Sequence, residues 1–252
     1  MIVVKNDDSI MMFNQHHHAL VSGVMARKWN KEYKTKGGYE DEVEYAIMNH
    51  DRAWVPLDQK PRWNTEQHLP YSFIDYPEEE KVAAYQEGVN EIEKTSSYAA
   101  LLCSLHYASF YHNDDTTSKS VKQFLHNESR RREAILSSLP VEPVRLYDHL
   151  DLLQFCDNLS LYCCMNSPGV KKENELSWFR SGFPQKFSFA PEGVEAEWVD
   201  STQIRIRPFP FEDAFTLSIP FKCISPSVSG DQLLKAYHSA DWQERTVTFI
   251  EG

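Results

Sequence analysis

The chain lacks the features of a disulfide scaffold, a membrane protein or a nucleic-acid binder. Its 252 residues include only five cysteines, which form no C-x-x-C pair and fall mostly in segments predicted as buried helix, so we expect reduced thiols. No apolar run approaches the roughly 20 residues of a membrane span. A net charge of -11 opposes contact with a polyphosphate backbone. We therefore expect a cytoplasmic protein that binds neither duplex nucleic acid nor a membrane.

Helical periodicity dominates the first two thirds of the chain. Apolar residues recur at the spacing of an amphipathic helix in six segments, most of them bounded by polar residues, glycine or proline. Asn14 is available as the N-cap of the first. The predicted helices are 15–29, 39–50, 78–94, 97–112, 118–139 and 143–165.

Short β-type segments lie at the two ends of the chain. Residues 1–5 and 9–13 predict a small hairpin, and five alternating or β-branched runs follow Pro168-Gly169: 186–190, 195–199, 203–207, 215–224 and 246–250. Four prolines make 52–77 an irregular loop. We expect a mostly α fold, a bundle of about six helices over 1–168 with the N-terminal hairpin, and a C-terminal antiparallel β annex over 169–252 packed on it.

Polar side chains of ligand type fall on the apolar faces of four predicted helices. Asp157 shares a face with a set of core residues, namely Leu146, Leu150, Leu153, Leu161 and Cys164. His18, His50 and His106 lie on apolar faces in the same way. A buried polar group costs free energy unless it is satisfied, and one buried histidine is usually satisfied by hydrogen bonds. Histidines and an aspartate on four helices instead favour a shared divalent cation.

The adjacent pair His50-Asp51 adds a more specific signal. It stands at the predicted end of a helix, and Pro56 supports a helix stop shortly afterwards. Neighbouring residues can both reach one ion where the backbone leaves regular helical geometry. The order His, His-Asp, His, Asp on successive helices is therefore more informative than the dipeptide alone.

This order resembles the HD superfamily, all-helical metal-dependent phosphohydrolases named for their histidine-aspartate doublet. The chain is also similar to a bacterial family of uncharacterised, HD-like proteins that continues through a β segment such as RPFPF. The phrases that carry this similarity are QHHHALVSG, NHDRAW, LLCSLHYASF and LLQFCDNLSLYCC. The resemblance covers most of the chain and brings no known substrate, and a shared fold does not fix function.

The resemblance implies a ligand set. His18 corresponds to the first metal histidine, His50-Asp51 to the doublet and Asp157 to the distal aspartate, while His106 matches the extra histidine of two-metal variants. The first metal histidine could instead be His16 or His17. We favour His18, because it lies on the apolar face of its helix. A second ion usually needs further histidines, for which His112 is the nearby candidate. The sequence leaves open whether the metal is Mn, Mg, Fe, Zn or Ni, and whether one or two ions bind per chain.

Catalytic and substrate roles follow from the same reading. A bound ion could lower the pKa of water and polarise a phosphoryl oxygen, and the resemblance gives Asp51 the added task of orienting that water. Arg52 could reach a phosphate or be a surface arginine. Arg131 is a weaker candidate, because the run 130–132 covers three sides of its helix. Trp54, with Trp63, could stack on a ring or simply pack the loop.

The sequence is compatible with three functions. The first is hydrolysis of a small phosphorylated molecule, with a nucleotide as one candidate and the β annex as lid, dimer surface or packing element. The second is oxidation at two irons on the same scaffold. The third is a non-catalytic module that binds a metal or ligand, and a structural metal or a hydrogen-bonded polar cluster is the plainest alternative. A homodimer is a further expectation.

Overall fold

The computed structural model describes residues 1–35, 38–111, 118–139 and 141–252. Its helices are α1 (Gln15–Lys28), α2 (Glu40–Asn49), α3 (Val55–Asp58), α4 (Glu78–Glu93), α5 (Ser97–Ser109), α6 (Lys119–Ser138), α7 (Pro143–Met165) and α8 (Leu233–Ser239). Its strands are β1 (Ile2–Lys5), β2 (Ile10–Phe13), β3 (Trp63–Asn64), β4 (Leu69–Pro70), β5 (Glu195–Trp198), β6 (Gln203–Arg207), β7 (Phe215–Ile224) and β8 (Trp242–Glu251). No helix in these ranges is long and apolar enough to cross a membrane.

The prediction of a mostly α bundle with a small annex is wrong. The fold is mixed, with 47% helix and 19% strand, and six strands form one sheet in the order β1-β2-β7-β8-β6-β5. Strand β2 of the N-terminal hairpin pairs with β7, more than 200 residues later, which satisfies its backbone hydrogen-bonding groups, and all four of its side chains are buried. The sheet is also not purely antiparallel, since β6 and β8 run parallel.

The six predicted helices are present, with shifted ends. Residue 112, the predicted end of α5, lies outside the described residues. Asn14 precedes α1 but makes no side-chain cap, since its side chain instead accepts a hydrogen bond from Tyr237. Asp58 takes the capping role from a distance, because its carboxylate accepts the Gln15 main-chain N–H at 2.6 Å.

Three local predictions need correction. The run 186–190 is not a strand and forms only an isolated bridge between Phe187 and Ala190. Helix α8 was not predicted, because its seven residues are too short for a clear helical period. The segment 52–77 is less irregular than expected, since it contains a 3-10 turn (Arg52–Trp54), α3, β3 and β4.

Four helices surround one point in the core. Helix α1 packs on α2 and α7, and α5 packs on the same two helices, so the four form a ring. Helix α4 supports this ring from outside at the 3-10 turn, where a Cβ at Gly88 would come within 2.7 Å of the Ala53 Cβ. Glycine therefore allows the close approach that holds the chain just after His50-Asp51.

The sheet is joined to this ring by a hydrophobic core and a buried arginine. The main core cluster contains residues from both 1–168 and 169–252, and α1 contacts β7 while α7 contacts β1. Arg245 of β8 donates through Nη1 to the carbonyls of Cys163 and Cys164 at 2.6 and 2.9 Å, at the end of α7. The proposed division into two domains stays a prediction.

Replacing Arg245 should destabilise the fold measurably. In Arg245→Met the carbonyls that end α7 lose a buried charged donor, and we expect a loss of about 2–4 kcal/mol in the free energy of unfolding. Urea denaturation measures the change. The control is Arg207→Met on the exposed part of the sheet, where loss of the ion pair with Glu197 should cost less than about 1 kcal/mol. Equal losses in the two variants would contradict the capping role.

Candidate metal centre

The structure brings the five predicted metal ligands together in the helix ring. His18 comes from α1, His50 follows the last residue of α2, Asp51 is next to it, His106 lies on α5 and Asp157 on α7. All five residues are between 0% and 8% exposed. The burial predicted for His18, His50, His106 and Asp157 from their helix faces is therefore found, and Asp51 is buried with them. The role of all five as ligands stays a prediction.

His18 is held with one ring nitrogen directed at a carboxylate. Its Nδ1 lies 2.6 Å from the Ser160 hydroxyl oxygen, and Ser160 gives its own hydrogen to the main-chain oxygen of Asp157 at 2.8 Å. Because a hydroxyl has one hydrogen, Ser160 must accept from His18 Nδ1–H. The lone pair of Nε2 then faces the Asp51 Oδ2, 2.7 Å away.

His50 has the same orientation by a different route. Its Nδ1 lies 2.7 Å from the Ile47 carbonyl, which can only accept, so this nitrogen carries a hydrogen. Its Nε2 lies 3.3 Å from Asp157 Oδ1 and 3.9 Å from Asp51 Oδ2, without a hydrogen bond to any described residue. An imidazole anchored through Nδ1 with Nε2 directed inward is the usual arrangement of a metal-binding histidine.

Four acceptor groups thus face one another in a buried space. Two imidazole lone pairs and two carboxylates repel unless a proton or a cation lies between them. The ligand atoms of His18, His50 and Asp157 lie within 4.8 Å of one another, and this buried group could hold a metal ion. Mixed imidazole and carboxylate ligands suit Mn, Fe and Zn.

The pKa shifts describe how the protein balances this charge with protons alone. Burial disfavours the charged form of His50, but Asp157 and Asp51 outweigh it and raise its pKa to about 9. Burial likewise opposes ionisation of Asp157, yet the adjacent His50 lowers its pKa to about 2. A proton on His50 and a divalent cation would therefore compete for the same place.

His106 lies at the edge of the group. Its Nε2 is 3.6 Å from Asp157 Oδ2, the carboxylate oxygen that does not face His50. Its Nδ1 is buried and has no hydrogen-bond partner among the described residues. Burial lowers its pKa to about 4, although Asp157 opposes the shift. His106 is therefore neutral at pH 7 and contacts the site through Asp157.

Burial distinguishes the three members of the histidine triplet, although which of them is a ligand stays a prediction. His18 is fully buried and belongs to the cluster, whereas His16 and His17 are partly exposed. His17 packs on Trp242 with ring centroids 5.0 Å apart. Burial, and then the charge of Arg52, lower the pKa of His16 to about 4. His112, the predicted extra histidine, lies outside the described residues.

The predicted substrate residues are engaged in different ways. Arg52 is exposed and follows Asp51 directly, and after burial its charge is the next cause of the lowered pKa of His16. Arg131 instead forms ion pairs with Glu128 and Glu93, so its guanidinium joins α4 to α6.

The tryptophans of the segment 52–77 have structural surroundings. Trp54 is 1% exposed, and its ring packs edge-on against Tyr76 at 5.4 Å. Trp63 packs against a small second core cluster beside the sheet. Both contacts fit the packing alternative, and the stacking role stays a prediction.

Sequence reasoning missed the serines behind His18. Ser160 and Ser22 are fully buried, and the Ser22 hydroxyl lies 3.0 Å from both Ser160 and the main-chain oxygen of His18. The available signal was spacing, since Ser160 is three residues after Asp157 and Ser22 four after His18, on the same helix faces.

Comparison with known proteins gives a family. A family model described as "Protein of unknown function (DUF3891)" matches residues 1–226. The chain belongs to this family. No curated protein and no solved structure matches it. The DUF3891 match contains the whole helix ring and all five candidate ligands, and it ends before α8 and β8. The family description names no activity, so function is argued from the site.

Removing a central ligand should remove the metal. We expect this DUF3891 protein, purified with Mn²⁺ or Zn²⁺, to hold bound metal in elemental analysis, and His50→Ala and Asp157→Asn to lose most of it. His238→Ala, on the exposed face of α8, is the matched control. Circular dichroism checks the fold of each variant. Full metal content in both folded variants would show that the site is wrong.

The serine behind His18 should tune metal affinity without contacting the ion. Ser160→Ala removes the acceptor that fixes His18, so we expect metal affinity to fall about 10- to 100-fold. Competition with a chelating dye measures the affinity. Ser137→Ala, at an exposed position of α6, should leave it unchanged. Unaltered affinity in Ser160→Ala would mean that another contact orients His18.

Proposed function

We propose that this DUF3891 protein is a metal-dependent hydrolase of a small phosphorylated molecule, with a nucleotide as one candidate. The observation that carries the proposal is the convergence of the lone pairs of His18 and His50 on the carboxylates of Asp51 and Asp157. Such a set holds a divalent ion through three or four protein ligands and leaves other coordination positions for water and substrate.

The chain's own residues have distinct tasks in this reaction. A bound ion would supply a water of lowered pKa and polarise a phosphoryl oxygen. His18, His50 and Asp157 would hold the ion, and Asp51 would both bind it and orient the attacking water. The anchors of the two imidazoles, Ser160 and the Ile47 carbonyl, would keep the ligands in place without reorganisation.

The exposed fractions of the site's side chains support approach of the substrate from the side of the carboxylates. The imidazoles of His18 and His50 are fully buried, whereas the side chains of Asp51 and Asp157 keep 7% and 11% of their surface exposed. Solvent can therefore reach the carboxylates but not the histidines. A water and a phosphate entering by this route would meet Asp51, the residue proposed to orient the water.

Arg52 supplies the positive charge that a phosphate needs. It is exposed, it follows Asp51, and its charge is felt by His16. An arginine can donate two parallel hydrogen bonds to phosphate oxygens. Arg52 would therefore bind substrate at the entrance while the ion acts deeper inside.

The test is hydrolysis of p-nitrophenyl phosphate by protein loaded with Mn²⁺ under anaerobic conditions. We expect turnover that chelation abolishes, and a fall of about 10-fold or more in kcat/KM for Arg52→Gln at unchanged metal content. Arg62→Gln, on the same segment and paired with Glu80, is the control. Full metal occupancy without turnover of this ester or of a nucleotide panel would contradict hydrolysis and support a non-catalytic module.

In the alternative reaction, oxidation at two irons, a second ion would bind beside His106. Its Nε2 faces the Asp157 oxygen turned away from His50, so Asp157 could bridge two ions. Two irons per chain with an oxygen-dependent absorption spectrum would support this reaction, and a single ion per chain would exclude it.

A further inference from the structure

A cavity lies at the ends of α1, α2 and α7 that are remote from the metal ligands. It has a volume of about 250 Å³ and is enclosed by the end of α1, the start of α2, the first half of α7 and the segment 186–189. Trp29 just after α1, Asp41 on α2 and Asp148 on α7 line it, each about two and a half to three helical turns from the metal ligand on the same helix. The cavity is thus separate from the proposed active site.

Aromatic rings form one side of this cavity. Trp29 is buried, and its ring packs against Phe189 with centroids 5.7 Å apart. Tyr33 is 37% exposed and stacks on Phe189 at 4.0 Å. The faces of such rings carry negative electrostatic potential and attract both flat apolar rings and cations.

Carboxylates give the cavity a negative balance. Its lining holds four acidic side chains against two lysines. Glu44 is paired with Arg27, but Asp41 has no partner among the described residues, and Asp148 accepts only the weak hydrogen bond of a Thr35 hydroxyl at 3.3 Å. Two carboxylates therefore remain able to pair with a positive group.

A buried histidine supplies an unused polar atom. His149 lines the cavity, is 4% exposed, and lies with Nδ1 2.7 Å from the hydroxyl of Tyr98. Burial raises the pKa of Tyr98 well above its usual range, so this hydroxyl keeps its hydrogen. It has no other acceptor among the described residues, and it therefore donates this hydrogen to Nδ1. The hydrogen of the neutral imidazole is then on Nε2, which has no partner within the described part of the chain.

We propose that this cavity binds a small molecule consisting of a planar aromatic ring with a cationic amine arm. The ring would lie against the face of Tyr33 that Phe189 leaves free, the amine would pair with Asp41 and Asp148, and His149 Nε2–H would donate to a polar substituent of the ring. The aromatic, acidic and histidine parts of the lining would thus each contact a different part of the ligand. The proposal is independent of the hydrolase reaction, since it uses none of the metal-site residues.

Isothermal titration of the full chain with two probes of matched shape tests the charge preference. Tryptamine carries an ammonium and indole-3-propionate a carboxylate on the same ring. We expect tryptamine to bind at least about tenfold more tightly, because one ligand pairs with the carboxylates and the other is repelled by them. Absence of tryptamine binding at millimolar concentration, or equal affinity for both probes, would overturn the proposal.

Three variants locate the binding. Tyr33→Leu and Asp148→Asn should each weaken tryptamine about three- to tenfold, while Tyr147→Leu and Asp213→Asn, at exposed positions outside the lining, should not. His149→Phe should abolish any preference for 5-hydroxytryptamine over tryptamine. Equal effects of the lining variants and their controls would place binding elsewhere and refute the assignment.

Discussion

The structure around the helix ring depends on neutralising two buried carboxylates. Asp51 and Asp157 are largely buried, and no lysine or arginine in the described ranges forms an ion pair with either. Within the described part of the chain their ion-pair partners are histidines, and a neutral histidine supplies no charge. The helices can therefore close around this point only when a proton or a cation is present, which couples folding to occupancy of the site.

The surrounding fold keeps these groups in register. Each helix of the ring contributes one part of the site, and three of these parts are held from outside: α1 by the carboxylate of Asp58 at its start, α7 by Arg245 from the sheet at its end, and the doublet after α2 by α4 at Gly88. The sheet is therefore more than an annex, since its strand β8 provides the cap of the helix that carries Asp157. Positioning contacts of this kind lower the cost of bringing acceptor groups together.

The sequence was informative where a signal is local. The position of Asp157 on a leucine-lined helix face is visible within a few turns, and so are the faces of His50 and His106. The helical period already favours His18 over its two neighbours, and the burial of His18 in the structure agrees with that preference. The sheet could not be predicted in the same way, because the pairing of β2 with β7 and the parallel contact of β6 with β8 are long-range choices. An alternating strand indicates a buried face but not the strand beside it.

The protonation of His106 bears on how many ions the site holds. A neutral imidazole carries one hydrogen, and His106 Nδ1 is buried without a partner among the described residues. If Nε2 bound a second ion, the hydrogen would be on Nδ1 as a buried donor without an acceptor, which costs about 1–3 kcal/mol. If the hydrogen is on Nε2, it points toward Asp157 Oδ2, 3.6 Å away, and Nδ1 is only an unused acceptor. The second arrangement costs less, so the geometry favours His106 as the group that orients Asp157 beside a single ion.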